Sequence, residues 1–478
     1  MLKVTCPAAY LPEREYVLRV VLGEWLGLEY IAESGDVRST HITRAGDVSG
    51  ARVEVDDSLF ATPEAEWLRP ASLPQSIRSW RPDSVTGLPV QAVLYGNEVA
   101  RSTYLTTEGG VTRLGVDVFG AAFFLLTRYE EIINPERDDF ERFAARSSVL
   151  HPAGLLERPV LNEHLELLWA ALVRTWPRLA RKSRAYRCLL SCDVDNVDIM
   201  GSDPAIALRI LVGRSVRDAM RHGPWHSAMH RASRFWAGWR GVPGADALDD
   251  FDFLMDVAEK AGCRFVFNFI ARKPGNSGKD GIYGLHRPGM RRLMRRIRER
   301  DHEVGFHGSY DSFRDPQQIR REFAHLNEVA AQEGVRQGEW GGRQHYLRWE
   351  APTTWQGYEE AGLAYDSSLT YADHAGFRCG TCYEFPVFNV RTRQPLKLRE
   401  RPLVVMEGSL LGDHYMKLNP QQAAEKVTTL ADTCRRFDGD FTFLWHNGQS
   451  QFPAKRALFV DCTSRATVGR PQQAFAAV

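Results

Sequence analysis

Five side chains in this sequence have the types and spacing for hydrolytic chemistry: Asp193, Asp195, His307, Arg343 and His446. Asp193 and Asp195 lie one residue apart, directly after the apolar run that ends at Leu189-Leu190. Two carboxylates so placed can divide labour, one binding a divalent metal while the other accepts a proton. A histidine from another segment, His307, supplies an imidazole ligand. His446, in Leu444-Trp445-His446-Asn447, can serve as an acid. Taken singly these are ordinary features. An Asp pair after a strand is more often a cap or a solvated loop, and a lone histidine more often a satisfied core or surface residue. Their common position at the ends of successive apolar segments is what joins them.

Those segments alternate strand and helix. Asp249 to Ala261 puts Phe251, Leu254, Val257 and Ala258 on one helical face, and Gly262 stops it. Phe265 to Ile270 reads as a strand. Leu285 to Arg300 is a helix with Met290, Leu293, Met294 and Ile297 inward and arginines around the rest, a solvated outer face rather than an anion site. Glu303 to Phe306 is a strand ending at His307. Asp315-Pro316 and Asn419-Pro420 each open a helix with a side-chain cap and proline in the first turn. Phe441 to Trp445 is the last strand. Repeated strand–helix units predict a parallel sheet in a (β/α) barrel or a distorted relative, whose strand ends converge on one face. Residues 199–245, rich in Arg, His and Trp, interrupt the series and read as a helical insertion.

The first 185 residues read as a smaller α/β domain. Glu13 to Leu26 carries Tyr16, Val17, Val20 and Val21 at helical spacing, and Leu28 to Ala32 reads as a strand. The polar stretch 46–90 reads as loops and short strands. Gly115 to Glu131 is dense enough in aromatics to be core. The second domain then spans 186–455, and 456–478 is a tail in which no core helix is evident.

The 478 residues carry 61 basic and 60 acidic side chains, a balance that gives no electrostatic reason to expect nucleic acid or an anionic membrane as partner. No apolar run is long enough to span a bilayer, and Met1 to Pro12 does not read as a secretion signal. The eight cysteines are scattered, as in a reduced cytosolic protein, so the expected location is cytoplasmic. Cys379 and Cys382 have redox spacing without a second pair, and read as incidental loop cysteines.

The ordered set resembles the polysaccharide deacetylase family, the NodB-homology domain, over about Leu189 to Gln449. That family has five ordered motifs on a distorted (β/α) barrel. Ser191-Cys192-Asp193-Val194-Asp195 is similar to its first motif, which implies Asp193 as general base and Asp195 as metal ligand. His302 to Asp311 is similar to the second, with His307 as ligand. The family's second histidine is replaced by Asp311, the third ligand on this reading. Arg343-Gln344-His345-Tyr346-Leu347-Arg348 is similar to the third, implying Arg343 as the group that orients the base and the Tyr346 amide as oxyanion donor. Tyr365-Asp366-Ser367-Ser368 resembles the stretch that follows, and His446 matches the histidine that protonates the leaving amine. Phe119 to Glu131, Arg142-Phe143 and Pro159-Val160-Leu161-Asn162-Glu163 resemble an uncharacterised domain that precedes one branch of the family.

The resemblance implies a distorted barrel of the NodB type behind the smaller domain, with a divalent ion, zinc foremost, as cofactor. It implies a small or carrier-linked N-acyl sugar as substrate in cell-surface polysaccharide metabolism. His345, Arg348, Glu407, Asp280 and Tyr283 lie near the expected rim, placed to touch substrate. Two alternatives stay open: hydrolysis of another small amide (a formamide or a ureide), and a degraded site in a carbohydrate-binding protein, for which Asp311 is the reason.

Overall fold

The computed structural model describes residues 1–82, 88–99, 103–195, 197, 248–271, 279–281 and 283–468. Two sheets organise it. The first holds β1 (Leu2–Cys6), β2 (Tyr30–Ser34), β3 (Thr40–Arg44) and β4 (Arg52–Val55). A separate two-stranded ribbon pairs β5 (Arg78–Trp80) with β6 (Gln91–Val93), and β7 (Leu105–Glu108) and β8 (Val111–Leu114) complete the first sheet. Its order is β2-β1-β3-β4-β8-β7, with β1/β2 and β4/β8 parallel. Glu13 to Leu26 is helical as its spacing predicts, changing from α at Leu11–Leu18 to a wider turn at Arg19–Trp25. The aromatic block becomes two helices, Val118–Leu126 and Tyr129–Ile133, capped at the start by Asp117.

The second sheet contains β9 (Arg187–Val194), β10 (Phe265–Ile270), β11 (Glu303–Gly308), β12 (Gly341–Gln344), β13 (Tyr365–Asp366), β14 (Phe385–Asn389), β15 (Gln394–Glu400), β16 (Val405–Met406) and β17 (Asp440–Leu444). Its order is β14-β15-β13-β12-β11-β10-β9-β17-β16. Every pair is parallel except β14/β15. Among the described residues no pairing joins β14 to β16, so this is an open, curled half-barrel sheet with helices. The crossovers Leu248–Lys260, Pro288–Glu299, Pro316–Gln332 and Pro420–Arg436 fall where the periodicity puts them. Asp315 and Asn419 cap the last two through their side chains. The helical insertion expected at 199–245 lies outside the described residues.

The tail is a correction. Pro453–Thr467 is a helix that buries Leu458, Phe459, Cys462 and Ala466. Phe459 packs against Trp445 and Phe443 from the β17 region and against Phe265 of β10. Its apolar stripe is interleaved with Arg, Ser and Thr, which hides the period in the sequence.

One buried core runs from Leu2 to Ala466 through both sheets. A charge cluster pins them together. Arg128 pairs with Glu130 and Glu131, both within 2.8 Å, and Glu131 also takes both prongs of Arg378. All four are buried. Among the described residues no helix is long and apolar enough to cross a membrane.

Candidate active site

Parallel strands in register deliver their last side chains to one edge. Asp193 stands opposite Asn268, Ile270 opposite His307, and His307 opposite Arg343. Asp195 follows β9, His345 follows β12, Glu407 follows β16 and His446 follows β17. Six of the expected residues, Asp193, Asp195, His307, His345, Tyr346 and His446, line a cavity of about 210 Å³ together with Leu347, Met406, Arg142 and Lys279.

Asp193 is held firmly. Its Oδ1 accepts from Asn268 Nδ2 at 2.8 Å and from Arg343 Nη1 at 2.9 Å, and its Oδ2 lies 3.9 Å from His307 Nε2. Burial raises the pKa of this carboxyl, but the charges of Arg343, His307 and His446 outweigh burial and hold it below the ordinary value. Arg343 is fixed in turn by the Ser367 carbonyl at 2.7 Å and by the Ser367 and Ser191 hydroxyls at 3.0 Å each. Gly305 makes room for Asn268: a Cβ there would stand 2.0 Å from Asn268 Oδ1.

Three histidines point Nε2 inward because Nδ1 is occupied. His307 Nδ1 donates to the Arg343 carbonyl at 2.8 Å, His345 Nδ1 to Asp280 at 3.0 Å, and His446 Nδ1 to Glu407 at 2.6 Å. An acceptor on Nδ1 fixes the tautomer and leaves the Nε2 lone pair for a ligand. His307 Nε2 is 3.3 Å and His345 Nε2 is 3.4 Å from Asp195 Oδ1, and the three ligand atoms all lie within 4.8 Å of one another. His446 Nε2 is 3.6 Å from Asp195 Oδ2. Asp195 Oδ1 and His307 Nε2 are buried without a hydrogen-bond partner among the described residues, a costly state that a cation relieves. Ligand atoms about 2.0–2.1 Å from a tetrahedral metal stand roughly 3.3 Å apart, so the two distances to Asp195 Oδ1 suit a small divalent ion.

The ligand set is therefore corrected at one position. Asp311 is not in the group. It lies on the short turn after β11, half exposed, 3.6 Å from Arg348 Nη1. His345, expected at the substrate rim, takes its place. Four residues past His307, the turn at Ser309–Ser312 has carried Asp311 off the strand edge, whereas His345 ends the adjacent strand. Glu407, also expected at the rim, grips His446 and is not among the residues that line the cavity. Arg348 is buried behind the site, stacked over Tyr310 and Phe313 and paired with Glu141. Tyr283 is buried and donates to the Val194 carbonyl at 2.6 Å, bracing the strand that carries the Asp pair. Tyr346 lines the cavity in a left-handed backbone conformation, φ 61°, followed by Leu347 at φ 57°. Such a non-glycine pair is sparsely populated and needs surrounding contacts to hold it.

Burial pushes the His446 imidazolium down, but Glu407 and then Asp195 and Asp193 more than restore it, to about 10. His307 is likewise raised above its ordinary value by Asp193 and Asp195 against its burial. Asn268, Ser191 and the cavity lining by Arg142 and Lys279 were not singled out in the sequence. Asn268 sits inside an apolar strand, where one polar residue with an in-register carboxylate neighbour was the available signal.

Comparisons with known proteins were made against this geometry. Residues 2–177 match the model of a family of unknown function, DUF7033. No curated protein matches the chain. A solved chain from Mycobacterium smegmatis, provisionally described as a polysaccharide deacetylase, aligns at 17% identity. The alignment covers 59% of this chain and 83% of that one, with a TM-score of 0.37. An overlap that low carries no weight for function, which must come from the site.

Proposed function

We propose that the chain is a metal-dependent hydrolase that removes an acyl group, acetyl foremost, from an N-acylated sugar in cell-surface polysaccharide metabolism. On this reading residues 186–455 form a distorted barrel domain of the NodB type and residues 1–185 a domain of their own, in a cytoplasmic protein. The observation that carries it is the Asp195–His307–His345 group, flanked on one side by the Asp193–Arg343 pair and on the other by the His446–Glu407 pair.

Asp195, His307 and His345 would hold the divalent ion. Such an ion polarises an amide carbonyl and lowers the pKa of a bound water. Asp193 is ionised, its Oδ1 occupied by two donors and its Oδ2 turned toward His307, so Oδ2 is the oxygen that accepts the water's proton. Arg343 fixes that carboxylate and keeps it charged. The Tyr346 amide is the donor assigned to the developing oxyanion. His446, kept protonated by Glu407, delivers a proton to the departing amine. His345 also bears against the degraded-site alternative, because it supplies the third ligand atom that Asp311 does not.

The test is to load the purified protein with Zn²⁺, Co²⁺ or Mn²⁺, measure retained metal, and assay acetate release from N-acetylated sugars. One tightly held ion per chain and metal-dependent acetate release are expected. Failure to retain any divalent ion sinks the hydrolase reading, and release of formate or a ring-opened product moves it to the small-amide class.

A further inference from the structure

Asp280, Gly281 and Tyr283, between β10 and the Pro288–Glu299 helix, take no part in the hydrolytic steps above, yet they reach all three segments that carry the ligand atoms. Asp280 Oδ1 accepts from His345 Nδ1 at 3.0 Å and from the Tyr310 N–H at 2.7 Å. Gly281 lies against the strand end that bears Asp195: a Cβ on it would stand 2.1 Å from the Asp195 carbonyl oxygen. The Tyr283 hydroxyl donates to the Val194 carbonyl at 2.6 Å and accepts from the Ile270 N–H at 2.8 Å. The ends of β9 and β10, the turn after β11 and the end of β12 thus meet one short piece of backbone.

His345 needs such an anchor. β12 ends at Gln344, and His345 opens a tight turn whose next two residues are left-handed. A side chain on a turn is not aimed by the pleat, as one within a strand is. Asp280, its side chain only 4% exposed, supplies the direction. Its Oδ1 takes hydrogen bonds from both the Tyr310 amide and the imidazole, so Nδ1 keeps the proton. Nε2 is then left to face Asp195 Oδ1 with its lone pair, 3.4 Å away. The second hydrogen bond works on the competitor. Asp280 holds the Tyr310 amide, and Glu322 holds the Ser309 amide and hydroxyl at 3.1 and 2.6 Å. The backbone after β11 turns outward there, and Asp311 emerges half exposed beside Arg348.

We infer that Asp280 is a positioning residue that assigns the third ligand place: through one buried oxygen it aims His345 at the ion and withholds Asp311 from it. This rests on the reading of Asp195, His307 and His345 as a metal group. A carboxylate behind a metal-bound imidazole fixes the orientation of the ring, and loss of such a partner weakens metal binding roughly 10–100-fold. Gly281 sets the spacing. Without a side chain it lets the backbone lie close enough to Asp195 for the neighbouring carboxylate to reach His345.

The test measures Zn²⁺ affinity of the full chain by chelator competition, and the visible d–d absorption of the Co²⁺-loaded protein. Wild type is compared with Asp280→Ala, Asp280→Asn, Gly281→Ala and Asp311→Ala. Asp280→Ala should bind Zn²⁺ roughly 10–100-fold more weakly and alter the Co²⁺ bands. Asp280→Asn, whose amide oxygen still accepts an N–H, should recover part of the loss, and Asp311→Ala should match wild type. Unchanged affinity in Asp280→Ala, or an equal loss in Asp311→Ala, overturns the assignment and leaves the metal group standing. Should Asp280→Ala fail to fold by circular dichroism, Gly281→Ala decides, because it pushes the backbone off Asp195 and keeps the carboxylate. Weaker Zn²⁺ binding upholds the inference, and wild-type binding ends it. If wild type itself retains no ion, the metal reading falls, and nitrogen NMR of the imidazoles decides whether Asp280 aims His345. The Nδ1–H tautomer of His345 should then be present in wild type and lost in Asp280→Ala; an unchanged tautomer ends the positioning role.

Discussion

Two buried clusters of charge lie in this molecule, and they are built to opposite rules. Around Glu131, each guanidinium of Arg128 and Arg378 meets carboxylate oxygens, and Arg128 also reaches the Arg378 carbonyl. Around Asp195, imidazole nitrogens face the two carboxylate oxygens at 3.3–3.6 Å, two of the atoms lack hydrogen bonds among the described residues, and a cavity adjoins them. A cluster that only ties elements together satisfies its atoms internally; a cluster that serves a ligand leaves atoms for it.

The sharpest way to separate the two is by substitution. Asp193→Asn should lower kcat by roughly 10²–10⁴-fold while metal content and the unfolding midpoint stay near wild type, because a positioned base contributes in that range. Near-normal turnover would remove Asp193 from the base role.

Next in size is the contrast in stability. Glu131→Gln leaves the buried Arg378 guanidinium without its carboxylate while Arg128 keeps Glu130, and should cost about 3–5 kcal/mol in urea unfolding, with little loss of activity per folded molecule. Asp195→Asn should abolish metal retention and, in metal-stripped protein, cost less than Glu131→Gln, since Asp195 faces imidazoles across 3.3–3.6 Å rather than paired guanidinium groups. If Asp195→Asn proves as destabilising as Glu131→Gln, the distinction collapses.

Acid titration reads the first cluster through Glu131, by the difference between wild type and a variant lacking that carboxyl. Burial opposes ionisation of Glu131, but Arg378 and Arg128 outweigh it and hold its pKa at about 2, against 4.5 ordinarily. A depressed carboxyl stabilises the fold fully above pH 4.5 and loses that contribution as pH falls through about 2. By linkage the loss is about 3 kcal/mol. Stability measured from pH 5 to 2 should fall less steeply in Glu131→Gln than in wild type; parallel slopes would show that Glu131 is not the group titrating.

The smallest effect expected is a displacement of a pH profile. Glu407→Gln removes the leading charge that raises His446. The alkaline limb of kcat/KM, where the acid loses its proton, should then move to lower pH by about a unit or more. An unmoved limb would mean that another group sets it.

The strands β9, β10, β11 and β17 and four crossover helices were legible from clean apolar periods, two of the helices also from their caps at Asp315-Pro316 and Asn419-Pro420. Asp193, Asp195, His307 and His446 were legible because each ends or closely follows an apolar strand, and Arg343 because of the motif around it. What sequence order does not encode is which neighbour turns toward which. Asp311 and His345 are both polar residues just beyond strands, and only the turn at Ser309–Ser312 against the short β12 ending decides between them. Glu407 was visible as a rim residue, but its grip on His446 depends on β16 pairing beside β17. The Arg142 contribution required a contact between residues more than two hundred positions apart, which no local pattern records.

The insertion of β17 between β9 and β16 has a kinetic corollary. Arg187 at the start of β9 waits for Asp440, a partner 253 residues later, before that side of the sheet can close. Contacts of such long range are slow to form, because the intervening loop must lose its freedom first. Asp195 and His307 can meet as soon as β9, β10 and β11 assemble, whereas His446 arrives with nearly the last strand. A nascent chain can therefore bring Asp195 and His307 together well before His446 joins them, and the cluster assembles in the order in which the strands are made.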